Sequence, residues 1–253
     1  MACSLEFKGI SKSFCNGAAP NLVLDQLQLE IAKGEFICLL GSSGSGKSTL
    51  LRIIAGLETP DSGGVSLSGE LLTGPDAKRV MAFQDFNQLF PWQTVKDNII
   101  FPLRIQKRGS KRELREIADR YLAMVKLEGY GGYYPHQLSG GMKQKAAIAR
   151  ALALQPEALL MDEPFGSLDA QTRQTLQQML LKVWEETGVT IVFVTHDIQE
   201  AVILADRIPV LTKNKHSIAG IVVNSLPRPR LPGIPEFSGV WRQVYQLLDS
   251  AES

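Results

Sequence analysis

Between the apolar runs FICLL and LLRIIAGL, the residues Gly41, Ser42, Ser43, Gly44, Ser45, Gly46, Lys47, Ser48 and Thr49 spell GSSGSGKST. A strand, a glycine-rich loop, Lys-Ser and a helix in that order let the N–H groups between Gly41 and Gly46 turn inward around a chain of phosphates. Gly44 and Gly46 stand where close approach and unusual dihedrals are needed. Lys47 can reach the β- and γ-phosphates, the Ser48 hydroxyl suits Mg²⁺, and the helix start adds the positive end of its dipole. The expected ligand is a nucleotide. A glycine-rich turn with a surface lysine is the competing reading, which the flanking strand and helix disfavour.

Other chemistry-bearing residues recur downstream. Ser139 is a good N-cap for an alanine-rich helix, and with Gly140 and Gly141 it forms a second anion-binding helix start. Asp162 and Glu163 end a short apolar strand, where open α/β sheets place their ligands. Adjacent acids on a strand point to opposite sides, so one can serve a metal shell while the other faces water. His196 follows another strand, and Gln84 follows the strand Arg79 to Phe83; a histidine so placed is often structural. Phe14 precedes a turn, where it could pack in a core or stack on an adenine ring.

The elements that position these groups follow from periodicity. Leu5, Phe7 and the alternating Leu27, Leu29 and Ile31 predict an antiparallel layer. Val189 to Thr195 is nearly unbroken apolar and β-branched, as in a parallel strand buried on both faces. Helices are predicted over Lys111 to Leu127, after Ser139, through Leu176 to Trp184, and near Ile198 to Ala205. Phe86, Leu89, Phe90 and Trp92 crowd around Pro91 without a period, which reads as a local apolar cluster or as a partner's docking surface. The segment LPRPRLPGIP is too proline-rich for regular structure, and beyond it Val240, Trp241, Val244, Tyr245 and Leu248 mark the apolar side of a final helix that docks on the body.

Composition bounds these readings. The chain has 253 residues, 44% hydrophobic content and a formal net charge of +1. That suits one α/β domain with an inserted subdomain and implies no strong steering toward nucleic acid or membrane. There is no apolar stretch of signal-peptide or membrane-spanning length, so a cytosolic protein is expected. Cys3, Cys15 and Cys38 lack paired metal spacing and are assigned no function.

Taken in order, GSSGSGKST, Gln84, LSGGM at Leu138 to Met142, LLMDEP at Leu159 to Pro164, SLD at Ser167 to Asp169, and His196 resemble the ATP-binding subunit of ABC transporters over nearly the whole chain. LSGG shortly before the Asp-Glu strand is the discriminating element. QDFNQLFPWQTVKDNI, DEPFGSLDAQTR and the late PRPR segment resemble the nitrate, sulfonate and taurine importer subfamily of bacteria. The resemblance implies an α/β fold: a P-loop NTPase (RecA-like) core with an N-terminal antiparallel β subdomain and an inserted α-helical subdomain. The expected single ABC ATPase domain divides into residues 1–84 and 156–224 for the core, 85–155 for the helical part and 225–253 for the tail.

By matching position, the resemblance implies Phe14 against adenine, Ser43 through Thr49 around the phosphates of ATP, and Ser48, Gln84 and Asp162 about Mg²⁺. Glu163 is implied as general base or water-orienter, His196 as the γ-phosphate switch, and Asp169 among the nucleotide-site residues. Ser139, Gly140 and Gly141 would act on the nucleotide of a second ATPase subunit. Two transmembrane permease subunits and, indirectly, an external solute-binding protein complete the implied assembly, with this chain on the cytoplasmic face of the inner membrane and no nucleic-acid partner. One departure is GGMKQK, where the family usually shows Arg-Gln-Arg; lysine keeps the charge but loses the bidentate fork. A soluble ABC-type ATPase acting on ribosomes or DNA is the alternative. The doubled cassette or long coiled coil of such relatives is not seen here, and a P-loop kinase has no need of LSGG.

Overall fold

The computed structural model describes residues 3–15, 20–83 and 88–252. The chain forms two compact units, one from residues 1–76 and 189–253, the other from residues 77–188.

The first unit opens with two long strands, β1 (Cys3–Cys15) and β2 (Pro20–Ala32), paired antiparallel. Leu24, Leu27, Leu29 and Ile31 are all buried, although Leu24 and Leu27 are three residues apart. A bulge at Gln26, with φ 44°, reconciles that spacing with the pleat by turning one extra residue outward. After β3 (Phe36–Leu40), buried along its whole length, comes α1 (Lys47–Ile54). The strands β4 (Ser62–Leu67) and β5 (Glu70–Leu71) extend the antiparallel sheet in the order β2-β1-β4-β5.

In the second unit, β6 (Arg79–Ala82) pairs in parallel with β7 (Ala158–Asp162). Between them α2 (Val95–Ile105), α3 (Lys111–Met124) and α4 (Gly140–Ala153) pack on one another. The unit closes with α5 (Ala170–Thr187), stopped by Gly188 at φ 63°. α3 starts on a capping box: Glu113 N–H donates to the Ser110 hydroxyl at 3.4 Å, and Ser110 N–H donates to the Glu113 carboxylate at 2.6 Å. α2 was not expected from periodicity. Its start is set by Thr94, whose hydroxyl oxygen accepts the Asp97 N–H at 3.1 Å, and it tolerates Pro102 near its end.

The chain then returns to the first unit with β8 (Thr190–Thr195), α6 (Ile198–Leu204), β9 (Arg207–Thr212), β10 (Ser217–Val223) and α7 (Pro235–Glu252). β3 lies between β8 and β9, parallel to both, and β10 adds antiparallel to β9. β8 is buried throughout, as its apolar run predicts. The α/β P-loop NTPase architecture expected from the sequence is thus present.

One feature of the tail differs from expectation. The face of α7 that docks carries Phe237 and Val244, both buried, while Trp241 and Tyr245 remain 37% and 46% exposed and stack on each other at 5.3 Å. The apolar stripe of the helix is wider than the strip its neighbours cover. The PRPR segment is irregular, yet Arg230 is buried and donates to the carbonyls of Val202 at 3.3 Å and Ala205 at 2.6 Å, while Arg228 donates to Leu204 at 2.6 Å. These arginines satisfy the carbonyls at the end of α6, which that short helix leaves unpaired. Burial pulls the Arg230 guanidinium down to about 10.

Candidate nucleotide site

The GSSGSGKST loop joins β3 to α1, so its first glycine leaves a buried strand and its lysine enters a helix. Gly41 and Gly46 each have their own reason. A Cβ on Gly41 would lie 2.3 Å from the Leu211 carbonyl oxygen, and Gly46 has φ 94° with Leu24 only 2.8 Å from where a Cβ would stand. Lys47 is 4% exposed, and its ammonium donates to the carbonyls of Gly41 at 2.8 Å and Ser42 at 2.7 Å. The lysine is thereby held folded into the loop.

Ser45 is 1% exposed, and its hydroxyl oxygen has no hydrogen-bond partner within the protein. A buried hydroxyl without a partner costs about 1–3 kcal/mol, so native proteins rarely keep one without use. α1 has no acidic residue in its first turn, which leaves the positive helix end available to an anion. An unsatisfied hydroxyl, a lysine folded into a glycine-rich loop and a helix start free of acidic residues together fit a polyphosphate. A Mg²⁺ ion also fits, because it usually takes few protein ligands and completes its shell with water and phosphate oxygens. Ser48, half-buried in the first turn of α1, offers one such ligand. Among the described residues no group of three or more His, Cys, Asp or Glu gathers into an all-protein metal site.

Phe14 lies one residue from the end of β1, opposite Asn21, and is half-buried rather than in the core. The Lys12 ammonium sits 5.2 Å from its ring centroid. His196 is exposed just beyond β8. The backbone around it is braced: the Thr195 hydroxyl donates to Glu200 at 2.7 Å and accepts the Asp197 N–H at 3.0 Å, and Asp197 caps α6.

In the second unit Asp162 is the last residue of β7, whereas Glu163 already lies outside it at φ 42°. The pleat therefore does not set the direction of Glu163, contrary to the expectation of strict alternation; the turn does. A left-handed conformation at a non-glycine residue costs roughly 1–3 kcal/mol and is characteristic of functional turns. The turn is closed by the Gly166 N–H on the Glu163 carbonyl at 3.2 Å and anchored by the fully buried Phe165.

Ser139 caps α4 by accepting the Met142 N–H at 3.3 Å, and it is exposed, with Gly140 half-exposed behind it. Gly141 is buried against α5: a Cβ there would stand 2.6 Å from Thr172 Cγ2. Asp169 serves as the N-cap of α5, accepting the Thr172 N–H at 2.9 Å and its hydroxyl at 2.7 Å. Those bonds hold its carboxyl below the usual range. Gln84, expected at the metal and the attacking water, lies outside the described residues, as does Phe86 of the aromatic cluster.

Sequence reasoning missed the residues that hold this unit's loops. Gln88 clamps Phe83, the residue before Gln84, by donating to its carbonyl at 3.0 Å and accepting its N–H at 3.3 Å. Gln88 also donates to Gln144 of α4 at 3.5 Å, and its own carbonyl accepts from Arg150 at 2.8 Å. The Arg150 guanidinium in turn lies 5.8 Å from the Phe90 ring, which packs edge-on to Phe101 at 4.8 Å. Trp92 projects beyond, 72% exposed and 5.5 Å from Phe90. Nothing in the spacing of these polar residues announces such contacts, because Gln144 and Arg150 reach Gln88 from a segment far away in sequence.

Strand, phosphate loop and helix, followed by an Asp-Glu strand end, define a P-loop ATPase cassette. The family described as ABC transporter matches residues 24–166, and the chain belongs to it. The nitrate import ATP-binding protein NrtD of Synechocystis sp. is 44% identical over 88% of this chain and 83% of its own length. The aliphatic sulfonates import ATP-binding protein SsuB of Bacillus cereus is 40% identical over 97% of this chain and 96% of its own. Among solved structures, the ATP-binding cassette MJ0796, a dimer in a post-hydrolysis state bound to ADP and Pi, aligns with a TM-score of 0.76 at 35% identity, covering 88% of this chain and all of that one.

Proposed function

We propose that this chain is the ATP-hydrolysing subunit of an importer for a small solute, a small anion such as nitrate, a sulfonate or taurine, which crosses the membrane through a permease. The observation that carries the nucleotide chemistry is the unsatisfied Ser45 hydroxyl beside the folded Lys47 in the glycine-rich loop. The relatives named for nitrate and sulfonate import support the transport role.

In this reading Gly41 to Gly46 supply N–H groups to the phosphates, and Lys47 exchanges its loop carbonyls for the β- and γ-phosphates. Ser48, Asp162 and Gln84 would hold Mg²⁺, which would supply positive charge to neutralise the phosphates. Glu163 orients and deprotonates the attacking water, and His196 contacts the γ-phosphate. Phe14 stacks on adenine. Asp169 keeps its α5 cap and borders the nucleotide through that turn. A P-loop leaves one side of the triphosphate open to water, so two subunits meeting head to tail would close each site with the partner's Ser139, Gly140 and Gly141.

Among the described residues no helix is long and apolar enough to cross a membrane. In this reading the permease is a separate pair of chains, with this subunit peripheral on the cytoplasmic face and Phe90 and Trp92 at the contact. The external solute-binding protein acts only through the permease. Transport of labelled nitrate, taurine and an alkanesulfonate by the reconstituted complex tests the proposal. ATP-dependent uptake of one of them, lost in Lys47→Ala, is the expected result; ATPase activity stimulated by nucleic acid or ribosomes instead would overturn it.

A further inference from the structure

At the rim of the first unit, Lys12 is tied down from three sides. Its ammonium pairs with Glu58 at 2.7 Å and Asp61 at 3.3 Å, and it donates to the Thr59 carbonyl at 2.9 Å. Asp61 closes the circuit by accepting the Ser13 N–H at 2.7 Å, one residue from Phe14. The Lys12 side chain is only 12% exposed, and the fixed ammonium stands 5.2 Å from the centre of the half-exposed Phe14 ring. The acidic partners, Glu58 foremost, raise the lysine's pKa, which keeps it charged.

We propose that Lys12 is a positioning residue for adenine recognition, holding the Phe14 ring in place from one face so that the opposite face receives the base. The inference rests on the reading of Phe14 as the adenine platform. A cation on one face of an aromatic ring draws π density toward itself, and the opposite face then meets an electron-rich purine more favourably. The same contact restricts the ring at the end of β1, so less side-chain freedom is lost when the base stacks. The clamp from Glu58 and Asp61 serves the site by keeping the ammonium off the solvent and on the ring.

The test compares ATP with inorganic tripolyphosphate, which shares the phosphates and lacks the base, by calorimetric titration of the full chain. Lys12→Met is expected to weaken ATP about 2- to 5-fold, the range of one such contact, and to leave tripolyphosphate unchanged. Lys12→Arg should restore ATP affinity, and in a Phe14→Leu background Lys12→Met should have no further effect. Lys12→Gln, which keeps a donor for the Thr59 carbonyl, supplies the same comparison if the methionine variant does not fold. Equal weakening of both ligands, or unchanged ATP binding, would overturn the inference while leaving Phe14 its role. If Phe14→Leu itself leaves the preference for ATP over tripolyphosphate intact, the adenine-platform reading fails and the role of Lys12 falls with it.

Discussion

Asn98 and Phe90 are locked together: the fully buried Asn98 side chain accepts the Phe90 N–H at 2.8 Å and donates back to the Phe90 carbonyl at 3.1 Å. It donates as well to the carbonyls of Gln93 at 3.2 Å and Thr94 at 3.0 Å, so one side chain sets the loop that presents Trp92. Asn98→Ala removes the side-chain partner of the part-buried Phe90 N–H and of the Gln93 carbonyl, while the Phe90 and Thr94 carbonyls keep the N–H groups of Gln93 and of residue 98 itself. A loss of about 1–3 kcal/mol is expected, visible as a fall of several degrees in Tm. ATPase stimulation by the permease should fall more than basal activity; an equal loss of both would separate this loop from coupling.

Ser45 yields a prediction with opposite signs in the two states. Removing a buried hydroxyl that has no partner should raise the Tm of the nucleotide-free protein by a degree or more, since its desolvation of about 1–3 kcal/mol is no longer incurred. The additional stabilisation by ATP should shrink in Ser45→Ala. Thermal unfolding with and without ATP reads both signs at once, and a drop in Tm without nucleotide would contradict the orphaned-hydroxyl account.

Gly141 and Thr172 are packed with no room for a methyl group, at 2.6 Å from the position of an added Cβ. Gly141→Ala should push the start of α4 away from α5, with an overpacking loss of about 1–3 kcal/mol. The expected signature is weakened ATP-driven association with ATP affinity of the isolated subunit preserved. Thr172→Ser removes the offending Cγ2 and keeps the hydroxyl on Asp169, so the double variant should recover association.

Asp169 gives a pH dependence. Its folded pKa is depressed by the Thr172 N–H and hydroxyl, so its contribution to stability is complete above the unfolded value, about 3.9, and is lost as pH falls through the lower folded value. The Tm difference between wild type and Asp169→Asn should hold steady from about pH 8 to pH 5 and close below about pH 4. A difference that closes near neutrality would point to another group.

Much of the core was legible because its chemistry is local. The glycine spacing from Gly41 to Gly46, the β-branched run into Thr195 and the serine cap at Ser139 each carry their own physical reason within a few residues. The failures are tertiary. α2 escaped notice because Pro91 and the aromatic crowd beside it mask a Thr94 cap and a short apolar face, and because Pro102 reads as a breaker. Gln88, Asn98, Arg228 and Arg230 look like ordinary surface polar residues until the fold supplies their carbonyl and amide partners. Trp241 and Tyr245 satisfy helical periodicity equally well on the docked face or on its flank, and only the width of the surface beneath α7 decides between them.

The central claim is that Ser45 and Lys47 of one subunit and Ser139 to Gly141 of another enclose the same ATP. Analytical ultracentrifugation of Glu163→Gln, titrated with Mg²⁺ and ATP, tests it most directly. The account predicts a monomer without nucleotide, a stable dimer with ATP, and loss of that dimer when Ser139→Arg is added. A Glu163→Gln protein that binds ATP yet stays monomeric, or that hydrolyses it at the wild-type rate, would contradict the account.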